Sequence, residues 1–178
     1  MSTEIKLKNC RFSYAHLWEP RAAPGSTDKK FSVSLIIPKD HPQIGDIKAA
    51  IAKEIDEKWP DPKKRPAKLN NPLRDGDAER PNDAAYEGSY FINASCFDKY
   101  PPLVYDGQQQ KVLDNSFWTS GDYGHCLFDL YPFEKPQNRG IGVGLKQVMF
   151  LRKGEPLGYS NSKPAFDVEE VDTGSVFD

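Results

Sequence analysis

The sequence predicts a mainly β fold: a small closed barrel with one amphipathic helix and a disordered acidic C-terminal tail. Three observations carry that expectation. Apolar and polar residues alternate at a period of two in several short runs. A single segment, Ile44 to Ile55, repeats apolar residues at helical spacing. The last stretch, 164–178, holds the acids Asp167, Glu169, Glu170, Asp172 and Asp178 and neither Lys nor Arg.

In chain order, residues 4–14 open a half-buried strand, with Ile5 and Leu7 set against Lys6 and Lys8. Glu19 to Ser26, with two prolines and a glycine, reads as a loop. Phe31, Val33, Leu35 and Ile37 alternate with Ser32 and Ser34 in the clearest strand of the chain. Pro38 ends it. Asp40 and Gln43 then have capping-box spacing for a helix bearing Ile44, Ile47, Ile51 and Ile55 on one face, with Glu54 and Lys58 paired at i,i+4. Trp59-Pro60 stops that helix. Residues 60–88 carry prolines too often for regular structure, and a loop this long inside a domain is functional or disordered. Strands resume at Ser89–Phe97, with Ile92, Ala94 and Cys96 on one side and Phe91, Asn93 and Ser95 on the other. Pro102–Asp106 is a short extended piece, with Lys111–Leu113 as its hairpin partner. His125–Phe133 and Ile141–Leu151 complete the set, and Gly140, Gly142 and Gly144 mark a bent or closely approached strand. Five or six strands, one helix and long connections suit an OB-fold-like Greek-key β-barrel; a β-sandwich is the runner-up.

A chain of 178 residues supports one domain. We place it at 1–163, with the flexible acidic tail at 164–178. No apolar run approaches the roughly 20 residues needed to span a bilayer, and no secretory signal opens the chain, so membrane attachment is not expected and a cytoplasmic location is. Cys10, Cys96 and Cys126 lie in apolar, strand-like runs without Cys-x-x-Cys spacing and read as reduced core thiols. Phe12, Phe31, Phe128 and Phe150 are assigned to the core. The formal net charge is −2, but all 24 Lys and Arg precede the tail, so the body is mildly basic. The tail, with Pro164, Gly174 and few apolar residues, offers too little buried surface to offset its ordering entropy.

Catalytic signatures are lacking. No nucleophile elbow or phosphate loop occurs, and Gly140-x-Gly142-x-Gly144 has the wrong spacing for a dinucleotide fingerprint. Asp75 and Asp77, with Asp83 and Glu87 nearby, are the one candidate set for a metal-dependent nuclease or recombination enzyme, although the loop lacks the remainder of a calcium motif. No cofactor is expected. What stands out is basic and aromatic residues lying together. Lys63, Lys64, Arg65 and Arg74 cluster in the long loop; Lys99, Tyr100, Tyr105 and Lys111 follow the Ser89–Phe97 strand; Phe117, Trp118 and Tyr123 come next. Single-stranded nucleic acid demands this pairing, because cations follow phosphates and ring faces stack on unpaired bases. Arg74 leads the phosphate candidates, supported by Lys63, Lys64, Arg65, Lys99 and Lys111. Tyr105, Trp118 and Tyr123 lead the stacking candidates, followed by Trp59, Phe91 and Tyr100.

The blocks Phe31–Lys39, Asn71–Asp77, Gly88–Ala94, Pro101–Asp106, Tyr123–Cys126 and Gly140–Gly158 together resemble a bacteriophage single-stranded DNA-binding protein family. Its members, long filed as a domain of unknown function, are similar to the helix-destabilising replication proteins of short-tailed coliphages. The resemblance implies an OB-fold variant with two aromatic stacking points, phosphate contacts and no cofactor, acting non-enzymatically on single-stranded DNA in replication and recombination in the infected host's cytoplasm. It also implies a mobile acidic tail, and we expect that tail to meet replication proteins such as polymerase or helicase–primase, with Phe166 and Phe177 as anchors among the acids. The oligomeric state stays open, a dimer included. An adaptor working through its tail alone is a third reading.

Overall fold

The alternation at the start of the chain carries well past residue 14. In the computed structural model, which describes residues 2–157, β1 spans Thr3–Ala22. The loop expected from Glu19 is therefore strand through Ala22, with Arg21 and Ala22 paired to Lys30 and Lys29. Two residues at positive φ, Asn9 and Tyr14, lie where register slips against the neighbouring strands. Such bulges bend a strand enough to serve a curved wall.

β2 (Lys29–Pro38) pairs with β1 on one edge and with β4 (Ser89–Phe97) on the other, both antiparallel. β6 (Tyr123–Lys135) and β7 (Asn138–Arg152) form a long hairpin, and β6 returns to β1. The parallel pairing Ser95↔Gly144 joins β4 to β7. These five strands close a barrel in the order β1-β2-β4-β7-β6, which is the OB-type arrangement and not an open sandwich. β3 (Arg74–Asp75) adds to β4, and β5 (Leu103–Asp106) runs parallel to β7. The hairpin expected at Lys111–Leu113 is reduced to a Tyr105↔Lys111 bridge and a Val112 N–H donating to the Val104 carbonyl at 2.9 Å.

The inward residues follow the predicted parity. Val33, Leu35 and Ile37 of β2, Ile92 and Ala94 of β4, and Phe12, Phe128 and Phe150 share one core; Phe31 is buried too. Cys10 and Cys126 are buried free thiols, and Cys96 is half-buried. Helix α1 (Ile44–Lys58) drives Ile44, Ile47 and Ile51 into the barrel end formed by the start of β1 and the β6–β7 turn. Each such burial contributes about 1.5–3 kcal/mol. The start of the helix departs from the expected capping box. Gln43 is the N-cap without a side-chain cap, and its amide instead bridges β1, donating to the Lys6 carbonyl and accepting from Lys8 N–H, each at 2.8 Å. The expected Glu54–Lys58 pair is also replaced: Glu54 is buried and accepts from Thr3 Oγ1 at 3.0 Å, while Lys58 lies 4.0 Å from Glu134. At the opposite end, Trp18 and Trp118 stack on Phe150 with centroids 6.0 and 5.1 Å away.

No helix among the described residues is long and apolar enough to cross a membrane. The predicted tail 164–178, with Phe166, Asp167, Glu169, Glu170, Asp172, Phe177 and Asp178, lies outside the described residues.

Candidate nucleic-acid interface

The outer face of β2 and β4 is read directly from the register. Ile36 faces Phe91, Ser34 faces Asn93, Ser32 faces Ser95 and Lys30 faces Phe97. β1 extends these rows with Arg11, Ser13, His16 and Arg21, and β7 extends the Ser95 row with Gly144.

The segment 76–88 covers half of this face. Tyr86 is buried over Ile36 and Phe91, and its hydroxyl is 3.1 Å from Ser34 Oγ. The Arg80 guanidinium lies 5.2, 4.9 and 5.2 Å from the ring centres of Tyr14, Tyr86 and Phe91. The Asp-rich loop holds this cover down. The Asp75 side chain accepts from Asp77 N–H, Asp77 accepts from Gly88 N–H, and Lys39 Nζ reaches Asp75 and Asp77 at 2.9 and 2.8 Å. Hydrogen bonding to that ammonium holds both carboxyls below the ordinary Asp range. A Cβ at Gly76 would come within 2.4 Å of the Tyr86 carbonyl oxygen, so only glycine fits the turn. The Arg-Asp-Gly-Asp run therefore builds a scaffold. Lys39 and backbone donors engage the carboxylates on which the nuclease alternative relied, and no third His, Cys, Asp or Glu among the described residues joins them in a metal-ligand group.

The other half of the face stays open. Its floor is small and polar: Ser32, Ser95, Asn93 and Gly144. At one end Phe97 is 51% exposed, with Lys30 Nζ 4.8 Å from its ring centre. The turn carrying Lys99 and Tyr100 begins there, Tyr100 N–H donating to the Phe97 carbonyl at 3.0 Å. Across the barrel seam, Asn71, Arg74, Asn93, Phe133 and Gly142 line a hollow of about 320 Å³. Arg74 sits at its lip, paired to Glu79 at 2.5 Å and lying 5.5 Å from the Phe91 ring centre. Tyr131, 41% exposed, lies across Gly142, where a Cβ would come within 2.6 Å of its ring.

The predicted site residues divide on this frame. Arg74, Lys99 and Tyr100 border the open face, and Tyr100 is the most exposed of the aromatic candidates at 73%. Lys63 and Lys64 are exposed in the loop that packs toward the β6–β7 turn. Arg65 is engaged in the fold, bonding Asp56 and the Trp59 carbonyl. Two aromatic candidates are corrected: Phe91 is 1% exposed beneath Tyr86, and Trp59 is 8% exposed at the end of α1. Neither offers a free ring face. Trp118 stacks on Phe150, with Phe117 perpendicular to it at 5.0 Å and Lys153 Nζ 5.5 Å from its ring centre, so it plugs the barrel end. Tyr123 lies between the Arg11 and Arg152 guanidiniums, at 5.2 and 4.2 Å, beneath Gly154. Tyr105 and Lys111 sit together on β5 and its bridge, farther along β7. The sequence reading missed Lys30, Phe97 and Tyr131. Phe97 continues the outward parity of Phe91, Asn93 and Ser95, and Tyr131 stands opposite one of the three spaced glycines, so both signals were present in the pattern.

Comparisons with known proteins bear on the family and the fold. The family model described as "Enterobacter phage Enc34, ssDNA-binding protein" matches residues 3–176. "Putative protein p50" of Acyrthosiphon pisum secondary endosymbiont phage 1 is 31% identical over 161 residues, 85% of each chain. The single-stranded DNA-binding protein of bacteriophage Enc34, solved in complex with ssDNA, superposes with a TM-score of 0.73 at 24% identity, covering 87% of this chain and 89% of that one. The single-stranded DNA-binding protein gp2.5 of bacteriophage T7 superposes at 0.66 with 16% identity, covering 91% and 98%. These two structures support the fold.

Proposed function

Because the chain belongs to the phage Enc34 ssDNA-binding protein family, we propose that it binds single-stranded DNA on the open outer face of β2 and β4 and coats it during phage replication and recombination. The observation that carries this reading is the Ser32–Ser95–Asn93 floor rimmed by Lys30, Phe97, Arg74 and Tyr131. In OB barrels the second and third strands, with the first and fourth connections, form the oligonucleotide face. Here those strands are β2 and β4, and the connections are residues 23–28 and the β6–β7 turn.

Small floor residues let a strand lie close to the sheet. Phe97 and Tyr131 offer ring faces for bases, with Tyr100 beside Phe97. Lys30, Arg74, Lys99, Lys63 and Lys64 neutralise phosphates. No reacting group is required, and sequence preference is weak because every base has a π-face. The chain acts without catalysis in the host cytoplasm. Its acidic segment 164–178 contacts a replication protein such as polymerase or helicase–primase through Phe166 and Phe177.

Titration with a fluorescent single-stranded oligonucleotide, with and without magnesium, tests the core of this reading. Binding without cleavage in both conditions is expected. Magnesium-dependent cleavage, or no binding at low salt, overturns it. Deleting 164–178 should abolish capture of the replication partner while leaving the barrel's melting unchanged; retained capture refutes the tail assignment.

A further inference from the structure

An acid lies on the floor beside Tyr131, with Glu4 of β1 as its register partner on the far side. Asp129 on β6 is the register partner of Gly144, as Tyr131 is of Gly142. Each glycine leaves room for the side chain opposite it. A Cβ at Gly144 would lie 2.2 Å from Asp129 Oδ1 and 3.7 Å from Tyr131 Cε1, and a Cβ at Gly142 would meet the Tyr131 ring. The carboxylate and ring therefore lie side by side, flat on the β7 backbone, next to the seam where Gly144 meets Ser95. Burial and then the Asp129 charge raise the Tyr131 phenol above its ordinary value, an independent sign of their proximity. Asp129 Oδ2 lies 3.9 Å from Lys146 Nζ, which is held more tightly by Glu4 at 3.0 Å. Oδ1 accepts no hydrogen bond from another described residue.

A carboxylate on the floor of a DNA groove repels phosphates, so it favours a strand whose backbone follows the cationic rim and whose bases turn down. A base stacked on Tyr131 then brings its edge to Asp129. An ionised carboxylate only accepts hydrogen bonds, and its best-matched base partner is an exocyclic amino group such as cytosine N4. Thymine has carbonyl oxygens on both sides of its N3–H, and these oppose the carboxylate. We propose that Tyr131 and Asp129 form a base-reading pair that stacks one base and favours cytosine over thymine at that position.

This inference rests on the proposed binding face. Cytosine and thymine have the same ring size, so comparing oligo(dC) with oligo(dT) of equal length isolates the amino group from stacking. The measurement is fluorescence anisotropy with full-length protein at mildly alkaline pH, where oligo(dC) stays unfolded. Wild type should bind oligo(dC) about three- to tenfold tighter, within the range of a base-edge contact. Asp129→Ala should bring the ratio to about one, chiefly by strengthening oligo(dT) binding as the repulsion is lost. Tyr131→Leu should weaken both oligomers by about fivefold or more, as loss of a base stack predicts. Melting of each variant checks that the barrel persists. Equal wild-type affinities, or a preference unchanged in Asp129→Ala, overturn the pair while leaving single-stranded DNA binding standing. Failure to bind either oligomer overturns the binding face itself.

Discussion

The Tyr86 hydroxyl lies 3.1 Å from Ser34 Oγ, a polar contact closed off on the outside of the barrel by the 76–88 segment. It pins an irregular loop to the middle of β2. Both side chains are buried, so each needs the other. Tyr86→Phe should cost about 0.5–1.5 kcal/mol of stability, and Tyr86→Ala about 3–5 kcal/mol through the cavity it leaves. Urea denaturation reads both. A near-neutral Tyr86→Ala would mean that the segment does not stabilise the barrel.

The aromatic side chains divide into those that pack in the fold and those that keep an exposed ring. Phe97→Ala should weaken single-stranded DNA binding by about 1–3 kcal/mol, the value of one base stack. Its melting temperature should barely move, because half of that side chain is already in water. Trp118→Ala should do the reverse, melting early through loss of its packing on Phe150. Paired oligonucleotide titrations and thermal melts of the two variants decide the matter. A Trp118→Ala protein of wild-type stability with lost binding would move the stacking site to the barrel end.

Salt dependence follows from the cationic rim. With about four to six phosphates neutralised, log affinity should fall against log salt with a slope of roughly −0.7 per contact. Lys30→Ala and Arg74→Ala should each flatten the slope by about one contact. The Arg74 effect should be the smaller, because Glu79 already pairs with it. A slope near zero would remove the electrostatic part of the proposal.

Two histidines set a direction for pH. Burial and then the charge of Lys8 lower the pKa of His125, whose Nδ1 accepts from Asn9 N–H at 3.1 Å. Burial and then Arg21 lower that of His16. The unfolded chain thus takes up these protons at higher pH than the fold does. Their contribution is complete above the ordinary histidine value of about 6.5 and is lost as pH falls through the folded values. Stability measured from pH 7.5 down to 5.5 should fall, and His125→Gln should shallow the decline. A flat profile in the wild type would refute it.

Much of the barrel was legible because inward side chains at a period of two leave a pattern no local context can hide. Val33, Leu35 and Ile37 show this well. The extent of β1 was not legible, since bulges at Asn9 and Tyr14 break the alternation that identifies a strand. The helix was visible from its isoleucines, but its start was not, because Gln43 bonds to β1 and a capping box is a purely local signal. At the site, composition identified the chemistry without identifying the side chains. Trp59 and Phe91 looked available in sequence because nothing local showed what covers them; Tyr86 comes from a proline-rich stretch with no periodicity. Tyr131 left a trace in the spaced glycines, but which residue would lie across Gly142 is fixed only by the β6–β7 register.

β4 and β7 pair directly only at Ser95 and Gly144, so the barrel is fastened on that side by one parallel bridge and by the 70–75 segment, which bonds to Gly140 and its neighbours on β7 and pairs with Tyr90 and Phe91 of β4. Every other junction between its walls is a ladder of several residue pairs, unbroken between β2 and β4 and interrupted by bulges in the other three. Amide exchange should accordingly begin along this line, at 93–96 and 142–145, before it reaches the β6–β7 hairpin. A DNA strand lying on Asn93, Ser95 and Gly142 would bridge the gap as a clasp does, so ligand occupancy and closure of the cylinder become coupled. Loaded there, the protein would stiffen along this line, and unloaded it would part there first.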